Sequence, residues 1–264
     1  MPASGSWNAV CRMPDCARTD RTMAKERLDV LLVRRELCAS REKAQRLIMA
    51  GAVFSAGTRL DKPSLAVADD APLEVREADR YVGRGGHKLE AALVHFGIDP
   101  SGWVCLDIGA STGGFTDCLL QHGAAKVYAL DVGHGQLDWK IRSDPRVVVM
   151  EHCNARHLQP GDFPEKVSLI VADVSFISLT LVLPPAAGVL SDGGMIVALI
   201  KPQFELSRAE VGRGGVVRDD NARLKAVDKI RDFAASLGWS WGGVIDSPIA
   251  GAEGNREFLC LLKP

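Results

Sequence analysis

The sequence has 264 residues, of which 47% are hydrophobic and 25% are charged, and its formal net charge is −1. This length allows one large domain and one small one, and the hydrophobic fraction is ordinary for a globular protein. The near-neutral charge excludes non-specific binding of polyanions over the whole surface, so any nucleic-acid site must be a local basic patch.

No apolar run reaches the roughly 18 residues that a membrane helix requires, so we expect no association with a membrane. The seven cysteines are scattered without a Cys-x-x-Cys pair, which is typical of reduced thiols in a cytoplasmic protein. His152 and His157 lie five positions apart with no third ligand nearby, and we expect no metal site. The oligomeric state cannot be predicted from these features.

Residues 1–22 lack hydrophobic periodicity and the apolar centre of a signal peptide. They contain three arginines but no helical spacing. We expect them either to be disordered or to be an upstream extension before a natural start at Met23.

A small α+β domain is predicted over residues 23–79. Apolar residues from Leu28 onward have the spacing of one helix face, and Ser40 has the position of an N-cap for a second helix that Gly51 ends. Short strands around a glycine turn follow. This pattern predicts two helices packed on a small sheet.

The basic residues of this domain are concentrated near its start. Residues 23–63 hold nine basic and five acidic side chains, although the whole chain is nearly neutral. A charge run of this kind usually marks a solvated helix face. Here, however, a set of residues at fixed spacing resembles the small RNA-binding module named after a small-subunit ribosomal protein: Arg27, Leu28, Asp29, Leu37, Ser40, Arg41, Ala44, Leu47, Ile48, Gly51, Val53, Gly57, Lys62, Pro63 and Ser64.

The resemblance implies that this domain binds structured RNA with its second helix and the adjoining hairpin. We expect four of its basic side chains, those of Arg27, Arg41, Lys43 and Arg46, to contact phosphates. Arg84, in the glycine-rich segment that follows, is a further RNA-binding candidate.

Glycines on both sides of Arg84 should break any regular element. Residues 80–86 are therefore predicted to be an interdomain linker, and the second domain to span residues 87–264, beginning with a helix at His87. Lys88 would lie in the first turn of that helix, where its charge opposes the helix dipole. This local conflict indicates a functional reason for the lysine.

The central motif of the larger domain is an apolar strand over residues 103–108, a glycine-rich turn, and a helix over residues 115–121. Thr112 or Thr116 is expected to cap this helix. Such an arrangement brings backbone N–H groups up to a ligand. A dinucleotide fingerprint is excluded because position 111 is serine, and a Walker loop is excluded because no lysine follows the last glycine.

The remaining pattern is D-x-G-x-x-x-G-G, in which Asp107 is the acid. A carboxylate at a strand end suits a ligand with an amino group, such as S-adenosylmethionine. The next apolar run ends at Asp131, where a doubly wound fold holds ribose hydroxyls. Asn154 at the third strand end would read the adenine edge, although a plain turn explains it nearly as well. For the glycine turn, the alternative is that it only packs the strand on the helix.

The candidate cofactor-binding residues share positions at or just after strand ends, and they are Asp107, Gly109, Ala110, Ser111, Gly113, Gly114, Phe115, Asp131, Val132, Asn154, Ala155 and Asp173.

Strands and helices alternate through the rest of the chain. Strands are predicted at 146–150, 167–172 and 195–200, with two more after a helix at 221–237; a helix is also expected between Pro184-Pro185 and the turn at 192–194. The alternation predicts an α/β, doubly wound, Rossmann-like domain with a parallel sheet. Ligands in that fold lie at the C-terminal ends of the strands.

Lys201 follows directly after an apolar strand, which is unusual because a buried ammonium is costly. The side chain either reaches solvent at the rim or serves as a base whose proton affinity is lowered by burial and by a second cation such as Lys88. A neutral lysine amine could take the proton of an alcohol, and the 2′-hydroxyl of ribose is such an alcohol.

The chain from Arg27 to Leu262 is similar to the TlyA type of ribosomal RNA 2′-O-methyltransferase, which is built on the FtsJ-like catalytic fold. The resemblance is carried by long strings that begin at Arg84, Asp107, Asp131, Asp144, Val171, Lys201 and Gly254. It implies a catalytic tetrad of Lys88, Asp173, Lys201 and Glu257, S-adenosylmethionine as cofactor, and a cytidine ribose of ribosomal RNA within a ribosomal subunit as substrate. Members often carry the name haemolysin, which we do not expect to describe a direct activity.

Two other functions stay open at this point. An RNA-binding assembly factor could keep an idle methyltransferase fold. A base methyltransferase is less favoured, because Asp173-Val-Ser-Phe176 lacks the two prolines of the usual loop. The resemblance also implies that members without an added C-terminal helix act on the large subunit alone, and we therefore expect methylation of large-subunit RNA.

Overall fold

The computed structural model describes residues 25–76, 79–251 and 254–264, apart from the side chain of Arg213. The chain divides into two compact units after Ala78. The predicted extension over residues 1–22 lies outside the described residues. No helix in the described part of the chain is both long and apolar enough to cross a membrane.

The smaller unit has a mixed α+β structure. Its described elements are, in chain order, β1 (Lys25–Arg27), α1 (Leu28–Arg34), α2 (Arg41–Met49), β2 (Val53–Ser55), β3 (Thr58–Arg59), β4 (Ala66–Ala68) and β5 (Leu73–Val75). Strand β2 pairs antiparallel with β3 and β5, and β1 pairs antiparallel with β4. The β1–β4 pair was not predicted, because three-residue strands carry too little periodicity to be recognised.

Local sequence signals explain the two helices of this unit. Leu28 and Leu32 bury the inner face of α1 against Ile48 of α2 and Val53. The Ser40 hydroxyl accepts a hydrogen bond from the Lys43 N–H at 3.2 Å, which confirms the predicted N-cap. Directly after α2, Gly51 has a φ of +71°, as a glycine stop requires.

The larger unit is an α/β structure. Its described helices and strands are α3 (Gly85–Phe96), β6 (Val104–Ile108), α4 (Gly114–Gln121), β7 (Lys126–Leu130), α5 (Trp139–Arg142), β8 (Val147–Met150), β9 (Val167–Ala172), α6 (Leu179–Ala187), β10 (Leu190–Ile200), α7 (Pro202–Glu205), α8 (Asp220–Ser236), β11 (Ser240–Asp246) and β12 (Phe258–Lys263). Short 3-10 turns follow β8 and precede α8.

The strand order of the sheet is β11-β12-β10-β9-β6-β7-β8. The strands from β6 to β10 pair in parallel, whereas β12 runs antiparallel to both β10 and β11. The predicted α/β class is therefore confirmed, and the expectation of a wholly parallel sheet is corrected at β12. Because β12 runs in the opposite direction, its first residues lie at the edge where the parallel strands end.

Both faces of the sheet are covered by apolar packing. In β6, Leu106 and Ile108 pack on the side of α6 and α8, while Cys105 packs on the side of α3 and α4. This alternation along a strand is what a two-sided core requires. The layers leave the C-terminal edge of the sheet as the place where loops can form a site.

The segment predicted to be a linker, residues 80–86, lies instead in the larger unit. Tyr81 is buried, and the Val82 N–H donates a hydrogen bond to Asp117 at 2.9 Å. Helix α3 begins at Gly85 rather than at His87, and a Cβ on Gly86 would collide with the Tyr81 ring. These glycines therefore permit close packing, a role that cannot be distinguished from chain flexibility by composition.

The helix expected after Pro184-Pro185 is also placed differently. Both prolines lie inside α6, and the Asp192-Gly193-Gly194 turn lies within the irregular first half of β10. Leu179, Val182, Leu183 and Ala186 of α6 are all buried. This apolar face outweighs the backbone hydrogen bonds that two prolines remove from the helix.

Asp107 is a fully buried carboxyl group in the centre of the sheet, with 0% of its surface exposed. One carboxyl oxygen accepts a hydrogen bond from the Thr116 hydroxyl of α4 at 2.6 Å, and the other has no hydrogen-bond partner among the described residues. Burial raises the pKa of Asp107 to about 7, the Thr116 hydrogen bond opposes this, and the charge of Asp173 adds to it.

The raised pKa predicts a pH-dependent stability difference between the wild-type protein and the Asp107→Asn variant. As the pH rises, Asp107 loses its proton first in the unfolded chain, so the wild type loses stability between the unfolded value near 4 and the folded value near 7. Asparagine keeps an acceptor for Thr116 and does not titrate. We expect the free energy of unfolding of the variant, relative to wild type, to rise by about 1–3 kcal/mol between roughly pH 5 and pH 8.

Urea unfolding of both proteins at the two pH values measures this difference. Asp144→Asn is the control, because Arg146 lowers the pKa of Asp144 and its carboxylate stays ionised over the whole interval. A difference for Asp107→Asn that does not change with pH would show that the acid is ionised throughout.

Candidate active site

Two adjoining cavities lie at the C-terminal edge of the sheet. The first, which we call the Asp131 cavity, has a volume of about 450 Å³. The second, the Lys201 cavity, has a volume of about 330 Å³. The two share the lining residues Gly109, Ser111, Asp173, Ser175 and Phe176. One elongated ligand can therefore extend from the first cavity into the second.

The glycine-rich loop between β6 and α4 forms the floor of both cavities. Gly109 has a φ of +85°, and a Cβ at this position would collide with the backbone carbonyl of Asp173. Gly113, with a φ of +95°, occupies the N-cap position of α4 without a side-chain cap. The predicted cap by Thr112 or Thr116 is thus wrong, because Thr116 uses its hydroxyl to bind Asp107.

The Asp131 cavity combines one carboxylate with apolar walls. One oxygen of Asp131 accepts a hydrogen bond from the Ser111 N–H at 2.8 Å, and the other accepts one from the Gly133 N–H at 2.7 Å. Each carboxylate oxygen can accept a further hydrogen bond. Val132 and Ala155 contribute apolar lining.

Asn154 lines the same cavity at the end of β8. Its side-chain oxygen accepts a hydrogen bond from the Arg156 N–H at 3.1 Å and so caps a short 3-10 turn. The turn expected as one alternative for Asn154 is therefore present, and its contact with a ligand stays a prediction.

Five charged side chains line the Lys201 cavity, those of Arg84, Lys88, Asp173, Lys201 and Glu257, and the last four form two close pairs. The ammonium of Lys201 lies 2.6 Å from a carboxylate oxygen of Asp173 and donates a hydrogen bond to the Ser175 hydroxyl at 2.9 Å. The ammonium of Lys88 donates to Glu257 at 2.5 Å. Both residues of this second pair are buried, with exposures of 8% for Lys88 and 2% for Glu257.

The sheet topology explains how these four residues meet. Asp173 follows β9 and Lys201 follows β10, so both lie at strand C-terminal ends. Glu257 immediately precedes β12, and the antiparallel direction of that strand brings it to the same edge. Lys88 comes from the first turn of α3. The helix dipole that disfavours a lysine at this position is offset by the buried carboxylate of Glu257.

Most of the predicted cofactor-binding residues line one or both cavities, namely Gly109, Ala110, Ser111, Gly114, Phe115, Asp131, Val132, Asn154, Ala155 and Asp173. Two do not. Asp107 is buried beneath the loop, and Gly113 packs toward Leu137 and Ile141. Arg84, predicted to bind RNA, lines the Lys201 cavity.

Several lining residues were not predicted, and the most prominent is Phe176. Its side chain is 90% exposed, its φ is +65°, and its ring lies 5.1 Å from the ring of Phe204. A positive φ is uncommon for a bulky residue and often marks a functional site. The expectation that ligands lie at strand C-terminal ends had indicated this loop, but nothing in the sequence distinguishes an exposed phenylalanine from a core one.

In the smaller unit, the predicted RNA-binding side chains of Arg27, Arg41, Lys43 and Arg46 are all exposed. Two of them are fixed by Asp29, which is completely buried. Its carboxylate accepts hydrogen bonds from Arg27 at 3.0 and 3.1 Å, from Arg41 at 2.9 Å and from Gln45 at 2.9 Å. The Arg27 hydrogen bonds, more than any other contact, hold the pKa of Asp29 well below its usual range.

Comparison with known families divides the chain in a similar way. The FtsJ-like methyltransferase family model matches residues 81–263. The S4 domain model matches residues 26–70.

Two relatives carry the name TlyA. The 16S/23S rRNA (cytidine-2′-O)-methyltransferase TlyA of Mycobacterium tuberculosis is 49% identical over 90% of this chain and 90% of its own length. The 23S rRNA (cytidine-2′-O)-methyltransferase TlyA of Campylobacter jejuni is 36% identical over 76% of this chain and 77% of its own length.

Solved structures show the same fold. A structure from Streptococcus thermophilus that bears the name hemolysin is 47% identical, covers 92% of this chain and 89% of its own, and has a TM-score of 0.70. An S-adenosylmethionine-dependent methyltransferase from Mesorhizobium loti, at 15% identity, covers 69% of this chain and all of its own with a TM-score of 0.52, which shows the fold alone. The predicted fold class, family and cofactor, S-adenosylmethionine, are confirmed. The chain belongs to the TlyA group of FtsJ-like methyltransferases, with an S4 domain ahead of the catalytic domain.

Proposed function

We propose that this chain methylates the ribose 2′-hydroxyl of a cytidine in ribosomal RNA, and that its substrate is large-subunit RNA. The observation that carries the proposal is the joining of two lysine–carboxylate pairs in one cavity that is continuous with a second, partly apolar one. The proposal of a cytidine in ribosomal RNA as the substrate comes from the names of the relatives above. Large-subunit RNA is the substrate that both of their names share.

The residues present fit S-adenosylmethionine. Asp131 would accept hydrogen bonds from the ribose hydroxyls of the cofactor, and Val132 and Ala155 would pack against its adenine. Asn154 would contact the same base. The loop from Gly109 to Phe115 would hold the methionine end, with Asp173 at the junction between the cavities. When bound, this cofactor supplies an electrophilic methyl group.

The tetrad would handle the proton and the position of the acceptor oxygen. Lys201 would orient the 2′-hydroxyl together with Lys88, or, once its ammonium has released a proton to solvent, take the proton from this hydroxyl as a neutral amine. Asp173 and Ser175 hold the Lys201 nitrogen, and Glu257 holds the Lys88 nitrogen. The pairing gives the cluster no formal net charge, so both lysines are kept inside the cavity without an uncompensated buried charge.

The opening of the Lys201 cavity suits a nucleotide whose base is no longer stacked on its neighbours in the RNA. Enzymes that act on nucleic acids expose the target nucleotide and stack its base on aromatic side chains. Phe176 presents an exposed ring to the Lys201 cavity, and Phe204 lies against it. We propose that the cytidine base stacks on Phe176 while Arg84 pairs with a nearby phosphate.

The assembly factor with an idle methyltransferase fold is the second candidate. A fold that has lost its activity has no reason to keep a buried Lys88–Glu257 pair beside the half-buried Lys201–Asp173 pair, because an ammonium is costly to bury. Titration with S-adenosylmethionine distinguishes the two candidates, since an idle fold need not bind it. The intact tetrad and cavities favour the enzyme.

The Lys201→Ala variant should lose methyl transfer and retain the cofactor. A general base typically contributes about 10²–10⁴-fold, so we expect a rate decrease of that size with unchanged affinity for S-adenosylmethionine by calorimetry. Lys126→Ala is the matched control, because Lys126 is also paired with a carboxylate, Glu165 at 2.5 Å, but does not line either cavity. A Lys201→Ala rate above about a tenth of the wild-type rate would contradict the base role.

The exposed basic residues of α2 should contribute to RNA affinity through phosphates. Each lost phosphate contact lowers the slope of log affinity against log salt by roughly 0.7–0.9. We expect this decrease for Lys43→Ala and Arg46→Ala, measured by filter binding over a salt series. Arg34→Ala is the control, since Glu26 and Asp69 already pair with Arg34. Equal slopes for all three variants and wild type would remove α2 from the RNA interface.

Purified ribosomal subunits should differ as substrates. We expect labelled methyl groups to be transferred to large-subunit RNA and not to small-subunit RNA. The measurement is the incorporation of label from S-adenosylmethionine into each subunit, followed by mapping of the modified nucleotide. Similar labelling of the small subunit would contradict the proposed choice and would leave the cytidine 2′-O-methyltransferase activity itself intact.

A further inference from the structure

Glu205 is a buried carboxylate that lies outside the tetrad, at the end of α7, and it is only 6% exposed. One of its oxygens accepts a hydrogen bond from the Leu179 N–H at 2.8 Å. The other accepts hydrogen bonds from the Ser178 hydroxyl at 2.6 Å and from the Lys229 ammonium at 2.9 Å. Neither cavity is lined by Glu205, so it has no direct role in binding cofactor or substrate.

The partners of Glu205 connect the two loops that carry half of the tetrad. Lys201 and Glu205 bracket α7, while Asp173 and Ser178 bracket the loop between β9 and α6. Lys201 contacts Asp173 at one end of this pair of loops, and Glu205 contacts Ser178 at the other. The two loops are thus joined at both ends.

Lys229 of α8 reinforces the second junction from outside the two loops. Its ammonium donates a hydrogen bond to the Glu205 backbone carbonyl at 2.7 Å and to the Ser178 hydroxyl at 3.2 Å, in addition to the carboxylate. Charge-assisted hydrogen bonds of this kind are stronger than neutral ones and have better-defined geometry. The α6 N-terminus, where Ser178 is also the N-cap, favours the negative charge of Glu205.

The backbone between the two junctions is strained. Phe176 lies midway between Asp173 and Ser178 and holds a φ of +65°. Such a conformation is energetically unfavourable for a residue with a side chain and persists only when the surrounding contacts fix it. The contacts that fix it are the Lys201–Ser175 hydrogen bond on one side and the Glu205–Ser178 hydrogen bond on the other.

We propose that Glu205, supported by Lys229, is a positioning residue that sets the distance between the Lys201 loop and the Asp173 loop. The proposal rests on the proposed function, because it assigns Glu205 the task of keeping the Lys201 nitrogen and the Phe176 ring in the geometry that methyl transfer requires. Displacement of a reacting group by about 1 Å can lower a rate by about 10²-fold. Loss of the Glu205 contacts acts chiefly on the transfer step, because Asp131 and Asn154 of the neighbouring cavity lie on other elements and stay in place.

Glu205→Gln is the decisive variant, since it preserves shape and removes the charge that binds Lys229. The control is Glu210→Gln, because Glu210 is also paired with a lysine of α8, Lys225, and with a serine hydroxyl, but does not join the two loops. Single-turnover methyl transfer at saturating cofactor and RNA should slow by about 10–100-fold for Glu205→Gln and stay unchanged for Glu210→Gln. Calorimetry should give the wild-type affinity of Glu210→Gln for S-adenosylmethionine, and for Glu205→Gln a smaller change in this affinity than in the transfer rate.

Hydrogen exchange followed by mass spectrometry provides a readout that does not depend on activity. In Glu205→Gln, amides of residues 173–179 and of 201–206 should exchange faster together, whereas Glu210→Gln should affect neither segment. If Glu205→Gln does not fold, Ser178→Ala removes one of the three hydrogen bonds and should give the same pattern with a smaller rate loss.

A wild-type transfer rate for Glu205→Gln, or faster exchange confined to residues 201–206, would overturn the proposal. A residue that only stabilises the fold would lower the melting temperature without changing the rate of the folded protein. Wild-type protein that transfers no methyl group would contradict the proposed function, and the exchange comparison would still decide whether Glu205 joins the two loops.

Discussion

Two lysines can be kept inside one cavity only because each has a carboxylate within 2.6 Å. A buried ammonium without such a partner would cost several kcal/mol, and a buried carboxylate alone would cost as much. The pairs come from separate parts of the chain and are satisfied only when β9, β10, β12 and α3 are all in place. The topology of the sheet therefore determines the charge balance of the site, because β12 must run antiparallel for Glu257 to reach Lys88.

This constraint also separates the tasks of the acidic residues. Asp107, fully buried beneath the glycine loop, binds Thr116 and has a raised pKa. Each carboxylate oxygen of Asp131 accepts one hydrogen bond from a backbone N–H, and the residue lines a cavity. Asp173 pairs with a lysine, and Glu205 joins two loops. Acids at one edge of the sheet thus differ in environment, and the environment determines which can meet a ligand.

Much of this arrangement could be predicted from the sequence. Long apolar runs predicted the positions of β6, β7 and β9. The expectation that ligands lie at the C-terminal ends of the strands selected Asp131, Asp173 and Lys201. Where prediction failed, tertiary contacts had overruled local signals. The buried face of α6 compensates for the two prolines inside this helix, and the Tyr81 ring leaves room only for glycine at position 86. The Thr116 hydroxyl binds Asp107 and therefore does not cap α4. Phe176 and Glu205 have no local signature at all, because their roles depend on partners from other elements.

The separation of Lys88 and Glu257 by 169 positions has a consequence for the order of events during synthesis. The glycine loop and the Asp131 cavity are built from residues before position 183, whereas the partner of Lys88 emerges from the ribosome much later. Contacts of such long sequence separation are the last and slowest to form. A growing chain therefore contains every residue of the Asp131 cavity before it contains the partner of Lys88, so a chain that ends before β12 keeps the first cavity's residues and leaves Lys88 without Glu257.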